Sequence, residues 1–355
     1  MKIQKFLFVC LLSVGLLLCS GCGNEYLTAA PTEAPTVAPT EAPTVAPTEA
    51  PTVAPTEVPT VAPTEIPTAA PTEIPTVAPT EVPTVAPTEE PTEAPKDVTA
   101  YTPGLSFRYD GDSYAVSGYT GTDFDVIIPS SYQGLPVKSI AAEAFANCET
   151  LLSVSIPASV VRIEGEYSWN GSFYCCVNLA SVIFRGESQL NELGAGSFCG
   201  CKSLTKFECP ASVTKIGDSC FRGCSNLKEF TWKNESRLTA IGQEAFCYCD
   251  ALESMTVPKN VTQIGMQAFY SCDSLSTVWL ESNGPLLISY GAFQFCRSLQ
   301  RVFYSGTAND WQQIVISPDS DDFVNATRYY YSESSPEDYG SYWHYDEIGM
   351  PVIWQ

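Results

Sequence analysis

Histidine is almost absent from this chain, which has one, His344, among its 355 residues. A Ser-His-Asp or Cys-His mechanism would have to use that residue. It lies between Trp343 and Tyr345 in "YWHYDEIGMPVIW" (342–354), where a structural role in a hairpin cap is the simpler interpretation. The chain also lacks a glycine-rich phosphate loop, and its carboxylates do not fall in converging pairs within the repeats. The sequence therefore predicts a protein that is not an enzyme and that needs no cofactor.

Basic residues are also scarce. Lys and Arg number 18 against 40 Asp and Glu, so the formal net charge is −22. Nucleic-acid binding depends on neutralising phosphates with basic side chains, so nucleic acid is a poor partner. Part of the acidity is concentrated near the C-terminus, in "SPDSDDF" (317–323) and "SSPEDY" (334–339). This charge indicates a solvated, self-repelling surface.

Long apolar runs are missing except at the N-terminus. There Lys2 and Lys5 precede an apolar core of about 13 residues (6–18). A membrane-crossing helix needs roughly 20 residues. The layout is that of a secretory signal peptide, which we place over 1–21.

The end of this segment, "LLLCSGCG" (16–23), resembles a bacterial lipobox, in which a peptidase cuts before a cysteine that then carries a diacylglycerol. Ser20 and Gly21 precede Cys22 as in that motif, although Cys19 stands where leucine is usual. We expect lipid attachment at Cys22, which would hold the protein on the extracellular face of a bacterial cell membrane, since stable anchoring takes more than one acyl chain. A plain signal peptide with release of the protein is the alternative.

Residues 22–96 are of low complexity. From Pro31 to Pro95 a proline falls at every fourth position, as in "PTEAPTVAPTEAPTVAP" (31–47). Proline fixes φ and removes a backbone donor, so neither helix nor sheet is expected. We predict a disordered, extended stalk with a length of about 3.1 Å per residue. Residues 31–95 carry ten Glu and no Lys or Arg, and the threonines of this stretch are candidates for O-linked sugars.

The remaining chain repeats the frame small-Phe-x-x-Cys-x-x-Leu-x-x-apolar-x-apolar. Seven copies align on their cysteines, which are 28, 25, 23, 25, 23 and 24 residues apart. These cysteines are Cys148, Cys176, Cys201, Cys224, Cys249, Cys272 and Cys296. A period in the low twenties indicates a solenoid, in which Phe, Cys and Leu of each unit stack on those of the next. The alternating end of each unit predicts a short strand in a parallel sheet.

The repeats resemble the BspA-like (Treponema pallidum-type) leucine-rich repeats of bacterial surface proteins. "CPASVTKIGDSCFRGCSNL" (209–227) and "VPKNVTQIGMQAFYSCDSL" (257–275) follow that family's pattern closely, and the resemblance covers about 107–317. It implies an α/β leucine-rich-repeat solenoid used for binding or adhesion, often tethered to the cell surface, with no catalytic residues. We expect an N-terminal half-repeat cap over 97–143, about seven repeats of 23–28 residues over 144–304, and a β-rich closing segment with an aromatic hairpin over 305–355.

Fifteen cysteines in a chain predicted to be exported raise the question of disulfides. In the repeat ladder we expect free buried thiols, because parallel side chains on adjacent turns have poor geometry for bonding. "CGC" (199–201) and "CYC" (247–249) lack the Cys-x-x-Cys spacing of paired zinc ligands and have no histidine nearby. No metal site is therefore expected.

Two places have the composition of a ligand-binding surface. Trp279 and Phe303 occupy an outward strand column on adjacent turns, with Arg301 beside them, unless the C-terminal cap covers the pair. The loop "EGEYSWNGS" (164–172), which lengthens one repeat, carries Tyr167 and Trp169, and these either contact a ligand or pack against the first repeats.

These observations predict a non-catalytic cell-surface protein that binds an extracellular protein or a cell surface. A polysaccharide-capture module and a structural envelope protein are the alternatives. The membrane is contacted through the lipid anchor alone, and the oligomeric state is not indicated by the sequence.

Overall fold

The computed structural model describes residues 101–233, 235–282, 284–337, 340–347 and 351–354. The predicted signal peptide, the lipid-attachment residue Cys22 and the Pro-Thr stalk lie outside the described residues. Among the residues described, no helix is both long and apolar enough to cross a membrane.

The chain begins its described part with a small group of strands. They are β1 (Leu105–Tyr109), β2 (Tyr114–Tyr119), β3 (Asp125–Ile127), β4 (Ser131–Tyr132) and β5 (Leu135–Ile140). β1 pairs antiparallel with β2, and β4 pairs antiparallel with β5. β2 pairs parallel with β5, and β3 pairs parallel with the first repeat strand, so this group starts both of the sheets that the repeats continue.

Each repeat adds a longer strand and a shorter one. The strands are β6 (Ser153–Ile156), β7 (Arg162–Ile163), β8 (Ser181–Phe184), β9 (Glu192–Leu193), β10 (Lys206–Cys209), β11 (Lys215–Ile216), β12 (Glu229–Trp232), β13 (Ala240–Ile241), β14 (Ser254–Val257), β15 (Gln263–Ile264), β16 (Thr277–Leu280), β17 (Leu286–Ile288) and β18 (Arg301–Tyr304). The shorter strands pair parallel in one continuous sheet from β5 to β17. The longer strands pair in three separate pieces, β3-β6-β8, β10-β12 and a third that starts with β14-β16-β18.

Parallel pairing continues into the C-terminal part. Its elements are a 3-10 helix (Asp310–Gln313), β19 (Ile314–Ile316), α1 (Asp321–Asn325), β20 (Thr327–Tyr331), β21 (Tyr342–Tyr345) and β22 (Pro351–Ile353). β19 extends the sheet of shorter strands, and β20 and β21 extend that of longer strands. β22 closes the molecule antiparallel to β21. The predicted leucine-rich-repeat solenoid is confirmed, and in the described residues helix is limited to α1 and the 3-10 turn.

A ladder of phenylalanines runs through the core of the solenoid. Consecutive rings lie 4.9, 5.1, 5.4, 5.3, 5.2 and 5.0 Å apart from Phe145 to Phe293, and no two neighbours are tilted by more than 10°. Phe323 of α1 extends the stack at 4.6 Å. The rings are buried, so stacking adds to the gain from removing their area from water. The predicted phenylalanine ladder is thus confirmed, and one helical residue continues it.

The residue before each repeat cysteine adopts a left-handed backbone. Glycine fits this conformation at Gly200 and Gly223, but the same position holds Tyr248 at φ 60° and Phe295 at φ 63°. The backbone N–H of Tyr248 donates to the carbonyl of Tyr270 on the next turn at 2.9 Å. Hydrogen bonds of this kind between turns offset the backbone strain. In this conformation the side chains of Tyr248 and Phe295 are exposed to solvent.

The repeat cysteines do more than fill space. From Cys176 onward each thiol lies 2.9–3.3 Å from the backbone carbonyl of the phenylalanine one turn back, as Cys176 Sγ donates to Phe145 and Cys296 Sγ donates to Phe269. The twelve cysteines of the described residues are free thiols. Each of these carbonyls already accepts the backbone N–H of the cysteine in its own turn. We interpret the ladder as a row of weak donors that add a second hydrogen bond to carbonyls inside the core, which a hydrophobic residue of the same size would not do.

Burial of this ladder predicts a loss of stability in alkali. Desolvation raises the pKa of Cys176 from 9.0 to about 12. Above about pH 9 the unfolded chain releases this proton while the folded chain keeps it, so unfolding is favoured as the pH rises toward 12. We expect Cys176→Ala to lose about 1.4 kcal/mol less stability per pH unit in that range than the unsubstituted chain. Urea unfolding at several pH values measures the difference, and parallel profiles for the two chains would contradict it.

Candidate functional site

The loop over residues 164–172 leaves the solenoid directly after β7. Its turn is fixed by Asn170, whose Oδ1 accepts hydrogen bonds from the backbone N–H groups of Glu166 at 3.0 Å and Tyr167 at 2.8 Å. The hydroxyl of Ser168 lies 2.8 Å from that of Ser219, two turns along. The loop is therefore tied both to itself and to the neighbouring turns.

Glycines let this loop lie flat on the next turn. A Cβ on Gly171 would come 1.9 Å from the carbonyl oxygen of Gly196, and one on Gly165 would come 1.9 Å from that of Ala195. Gly196 itself has φ of +62° and faces the carbonyl of Ser168. Larger residues would push the loop off the solenoid, so the sequence "EGEYSWNGSF" places glycine where the two backbones meet.

The two aromatic side chains of the loop stand out from this base. Tyr167 and Trp169 stack with ring centroids 5.1 Å apart and planes tilted by 8°. They remain 53% and 65% exposed. The stack fixes each ring by means of the other, and the outer faces stay open to solvent. An exposed, rigid aromatic pair of this kind is suited to anchoring a ligand.

The second predicted surface is covered by the C-terminal part, which was one of the alternatives that the sequence left open. Phe303 is 4% exposed, because Trp279 stacks on it at 3.8 Å and Tyr329 stacks at 5.0 Å. Trp343 packs edge-on to Trp279 at 5.4 Å. Phe303 is thus part of the core, whereas Trp279 is half-buried and Arg301 is exposed at the edge of the cap.

The aromatic tail forms the cap itself. The Nε1 of Trp343 donates to the carbonyl of Tyr304 at 3.0 Å, and the Nε1 of Trp354 donates to that of Ser332 at 2.9 Å. His344 stacks on Trp354 with ring centroids 3.6 Å apart. The one histidine of the chain therefore packs in the final hairpin.

The repeats of the solenoid match a known protein family. A family model described as the BspA type leucine rich repeat region matches six copies over residues 125–249 and 231–317, which is more than half of the chain. The chain belongs to the BspA-type leucine-rich repeat family. Proteins of this family are in general surface-associated and serve binding or adhesion.

Solved structures with similar chains are bacterial leucine-rich repeat proteins. One from T. pallidum (TpLRR) is 25% identical, the match covers 62% of this chain and 92% of that chain, and the TM-score is 0.42. A leucine rich cell surface protein from Faecalibacterium prausnitzii is 24% identical over 60% and 71% of the two chains, with a TM-score of 0.39. The pneumococcal vaccine antigen PcpA is 16% identical over 67% and 95%, with a TM-score of 0.39. No curated protein matches the chain.

The BspA-type repeats also carry an aromatic row that sequence reasoning missed. Tyr248, Tyr270 and Phe295 pack edge to face on successive turns, at 5.5 and 5.1 Å. The guanidinium of Arg297 lies 5.9 Å from the Phe295 ring. These residues occupy the two variable positions between the repeat Phe and Cys. The signal was present in the sequence, but the structure was needed to show that Tyr248 and Phe295 are exposed and that Tyr270 is partly exposed.

The charged groups of this BspA-type protein pair with one another along the solenoid. Arg222 and Glu244 form a partly buried ion pair on adjacent turns, and Lys206 pairs with Glu229 at 2.7 Å at the surface. In the part of the chain that the structure describes, no group of three or more His, Cys, Asp or Glu side chains is placed to hold a metal ion. The arrangement offers rigid surfaces for contact, and leucine-rich repeat proteins in general act as binding scaffolds without enzymatic activity.

Proposed function

We propose that this chain is a lipid-anchored cell-surface protein that holds a leucine-rich-repeat solenoid on a long Pro-Thr stalk and binds a macromolecular ligand, either a protein or a cell surface, without catalysis. The observation that carries the proposal is the exposed Tyr167–Trp169 pair on a loop pinned to the solenoid. A single pair of rings suits one anchor point in a larger contact, as at the centre of a protein interface.

The electrostatics of the loop fit a ligand surface that offers positive charge. Glu164 and Glu166 precede the aromatic pair in the loop, and Glu164 lies 3.8 Å from Arg108. The chain as a whole carries a formal charge of −22. A basic protein surface would therefore be attracted over distance, and the attraction would weaken with salt.

The anchor and the binding role are tested separately. In cells, Cys22→Ala is expected to move the protein from the membrane fraction to the medium, because the acyl chains would have no attachment point. Retention of the Cys22→Ala chain at the membrane would contradict the anchor.

Cells that carry the unsubstituted chain are expected to adhere to immobilised matrix proteins, and deletion of residues 97–355 is expected to abolish that adhesion. Undiminished adhesion after the deletion would contradict the binding role, and altered envelope integrity alone would favour a structural one.

A further inference from the structure

The connections from the longer to the shorter strand are of two kinds, which alternate along the solenoid. Short connections turn at a proline, as in "CPASVTKI" (209–216) and "VPKNVTQI" (257–264). The intervening ones contain a Glu-Ser pair. Two of them, "FRGESQLNEL" (184–193) and "WKNESRLTAI" (232–241), have seven residues between their strands, and "LESNGPLLI" (280–288) has five, as the proline connections do. The Glu-Ser pair therefore recurs once every two turns on this side of the molecule.

The Glu-Ser pairs share one local conformation. The hydroxyls of Ser188, Ser236 and Ser282 each accept a hydrogen bond from the backbone N–H two residues later, at 3.2 Å in all three cases. The preceding Glu187, Glu235 and Glu281 are exposed. Each serine thus fixes a turn that holds a glutamate outward, once every two turns of the solenoid.

The sheet of longer strands opens where the longer connections occur. It is interrupted between β8 and β10 and again between β12 and β14. At the second opening the Nε1 of Trp232 donates to the backbone carbonyl of Thr256 at 2.9 Å. This hydrogen bond from the indole links β12 to β14 where no backbone pairing does. It fixes the half-buried ring at the surface.

Two notches result, each with Glu-Ser connections as walls and a proline connection as floor. The first has a volume of about 690 Å³, with Glu187 and Glu235 on its walls and Ala211 and Ser212 on its floor. The second has a volume of about 500 Å³, with Glu235 and Glu281 on its walls and Lys259 on its floor. Glu235 belongs to both. The notches follow one another along the solenoid at a spacing of two turns, about 10 Å, given strands about 4.8 Å apart.

The lining of the notches is mixed in charge and rich in hydrogen-bonding groups. Lys233 and Arg237 share the first notch with the glutamates, and Lys259 of the second notch lies 3.3 Å from Glu235. The ring of Trp232 lines the second notch beside Thr231. Carboxylates repel a polyanion and the basic groups repel a polycation. Alternating acceptors and donors beside a fixed indole suit the hydroxyls and the apolar face of a sugar.

We propose that the two notches bind a neutral polysaccharide, with one disaccharide-sized unit in each notch and Trp232 stacking against a sugar ring in the second. The site lies between the longer and the shorter strands, whereas the Tyr167–Trp169 loop follows a shorter strand, so the two surfaces are independent. A repeating polymer fits because the notches repeat at about the length of a disaccharide, about 10 Å.

Affinity electrophoresis of the full chain, purified in detergent, tests the proposal. Gels contain glucomannan, xylan or a mixed-linkage β-glucan, with polygalacturonate, heparin and polylysine as charged comparators. We expect retardation by at least one neutral polysaccharide and by none of the charged polymers. Calorimetry with its oligosaccharides should then show affinity rising about tenfold from two to four sugar units, because the second notch becomes occupied.

Variants localise the site. Glu235→Ala removes the side chain that both notches share, and since this side chain is 88% exposed the fold should not change. We expect this variant, and Lys259→Ala, to bind the retarding polysaccharide at least about fivefold more weakly. Glu149→Ala, on a different turn and outside the notches, should bind as before, and so should the Tyr167→Ala/Trp169→Ala chain.

Several outcomes would overturn the proposal. These are the absence of retardation by all three neutral polysaccharides, retardation by a charged polymer alone, and unchanged affinity in both notch variants. Failure of glycan binding with intact adhesion to matrix proteins would remove the notches as a site and leave the proposed function standing. Loss of adhesion in the Tyr167→Ala/Trp169→Ala chain with intact glycan binding would show that the notches bind the glycan without the aromatic pair of the loop.

Discussion

Replacement of Phe221 by alanine is expected to lower the free energy of unfolding by about 3–5 kcal/mol. The ring is fully buried and stacks between Phe198 at 5.4 Å and Phe246 at 5.3 Å. Phe207 and Phe230 pack against its edges at 4.8 and 5.3 Å. Four aromatic neighbours would face the cavity, and stacked turns on both sides leave little freedom to collapse into it.

The position of Phe221 in the middle of the ladder adds a second expectation. In a solenoid each turn packs mainly against its immediate neighbours, so stability is close to a sum of turn and interface contributions. Weakening one central turn should uncouple the two halves. We expect hydrogen exchange to show reduced protection around β11 to β13 first, while the outer turns keep theirs at low urea concentration.

Phe295→Ala is the matched control for this ladder substitution. That ring is 41% exposed and lies two residues after Phe293, which is a ladder member. Its loss should change the free energy of unfolding by about 1 kcal/mol or less. Urea unfolding of the full chain followed by circular dichroism measures both variants. Equal losses for the two would refute the ladder as the main source of stability.

The ladder could be predicted from the sequence because its residues recur at a fixed spacing. Phe221, Cys224 and Leu227 recur in the same frame in every copy, and a buried frame leaves few alternatives to stacking. The hydrogen bonds of the thiols were not predictable in this way. They depend on the direction of Sγ toward a carbonyl of the preceding turn, and the pattern of residue types does not contain that direction.

The candidate surfaces were harder to predict, because exposure depends on contacts between distant segments. Trp279 and Phe303 are large aromatic residues in a strand column that is otherwise mostly polar. Trp343 of the C-terminal part packs against both rings and covers them. The sequence near residue 279 gives no indication of this contact. The notches needed the strand pairing, since Glu187 and Glu235 face one another only after two turns have stacked. For the loop, by contrast, the insertion and its aromatic residues were visible, and only the stacking of the rings was not.

The second large effect is expected from removing the stacked Tyr167–Trp169 pair of the loop. Replacing both Tyr167 and Trp169 by alanine is expected to abolish measurable adhesion to immobilised matrix proteins, the binding role proposed for the chain. Each residue has the exposure and rigidity of a hot spot, for which truncation costs about 2 kcal/mol or more. That corresponds to roughly 30-fold in affinity for one residue. The loop is held by Asn170 and by Ser168, so little conformational entropy is lost on binding, and the rings contribute most of their contact energy.

The same pair makes a prediction about coupling that separates contact from simple exposure. Because the rings stack at 5.1 Å, removing one frees the other, so the single variants should together cost more than the double variant. Phe124→Ala, a 60% exposed aromatic outside the loop, should leave adhesion unchanged. Surface plasmon resonance against the matrix protein, with circular dichroism to confirm the fold, measures all four chains. If the double variant bound as tightly as Phe124→Ala, the Tyr167–Trp169 pair would not be the anchor, and binding would have to be sought at the half-buried Trp279 and Arg301.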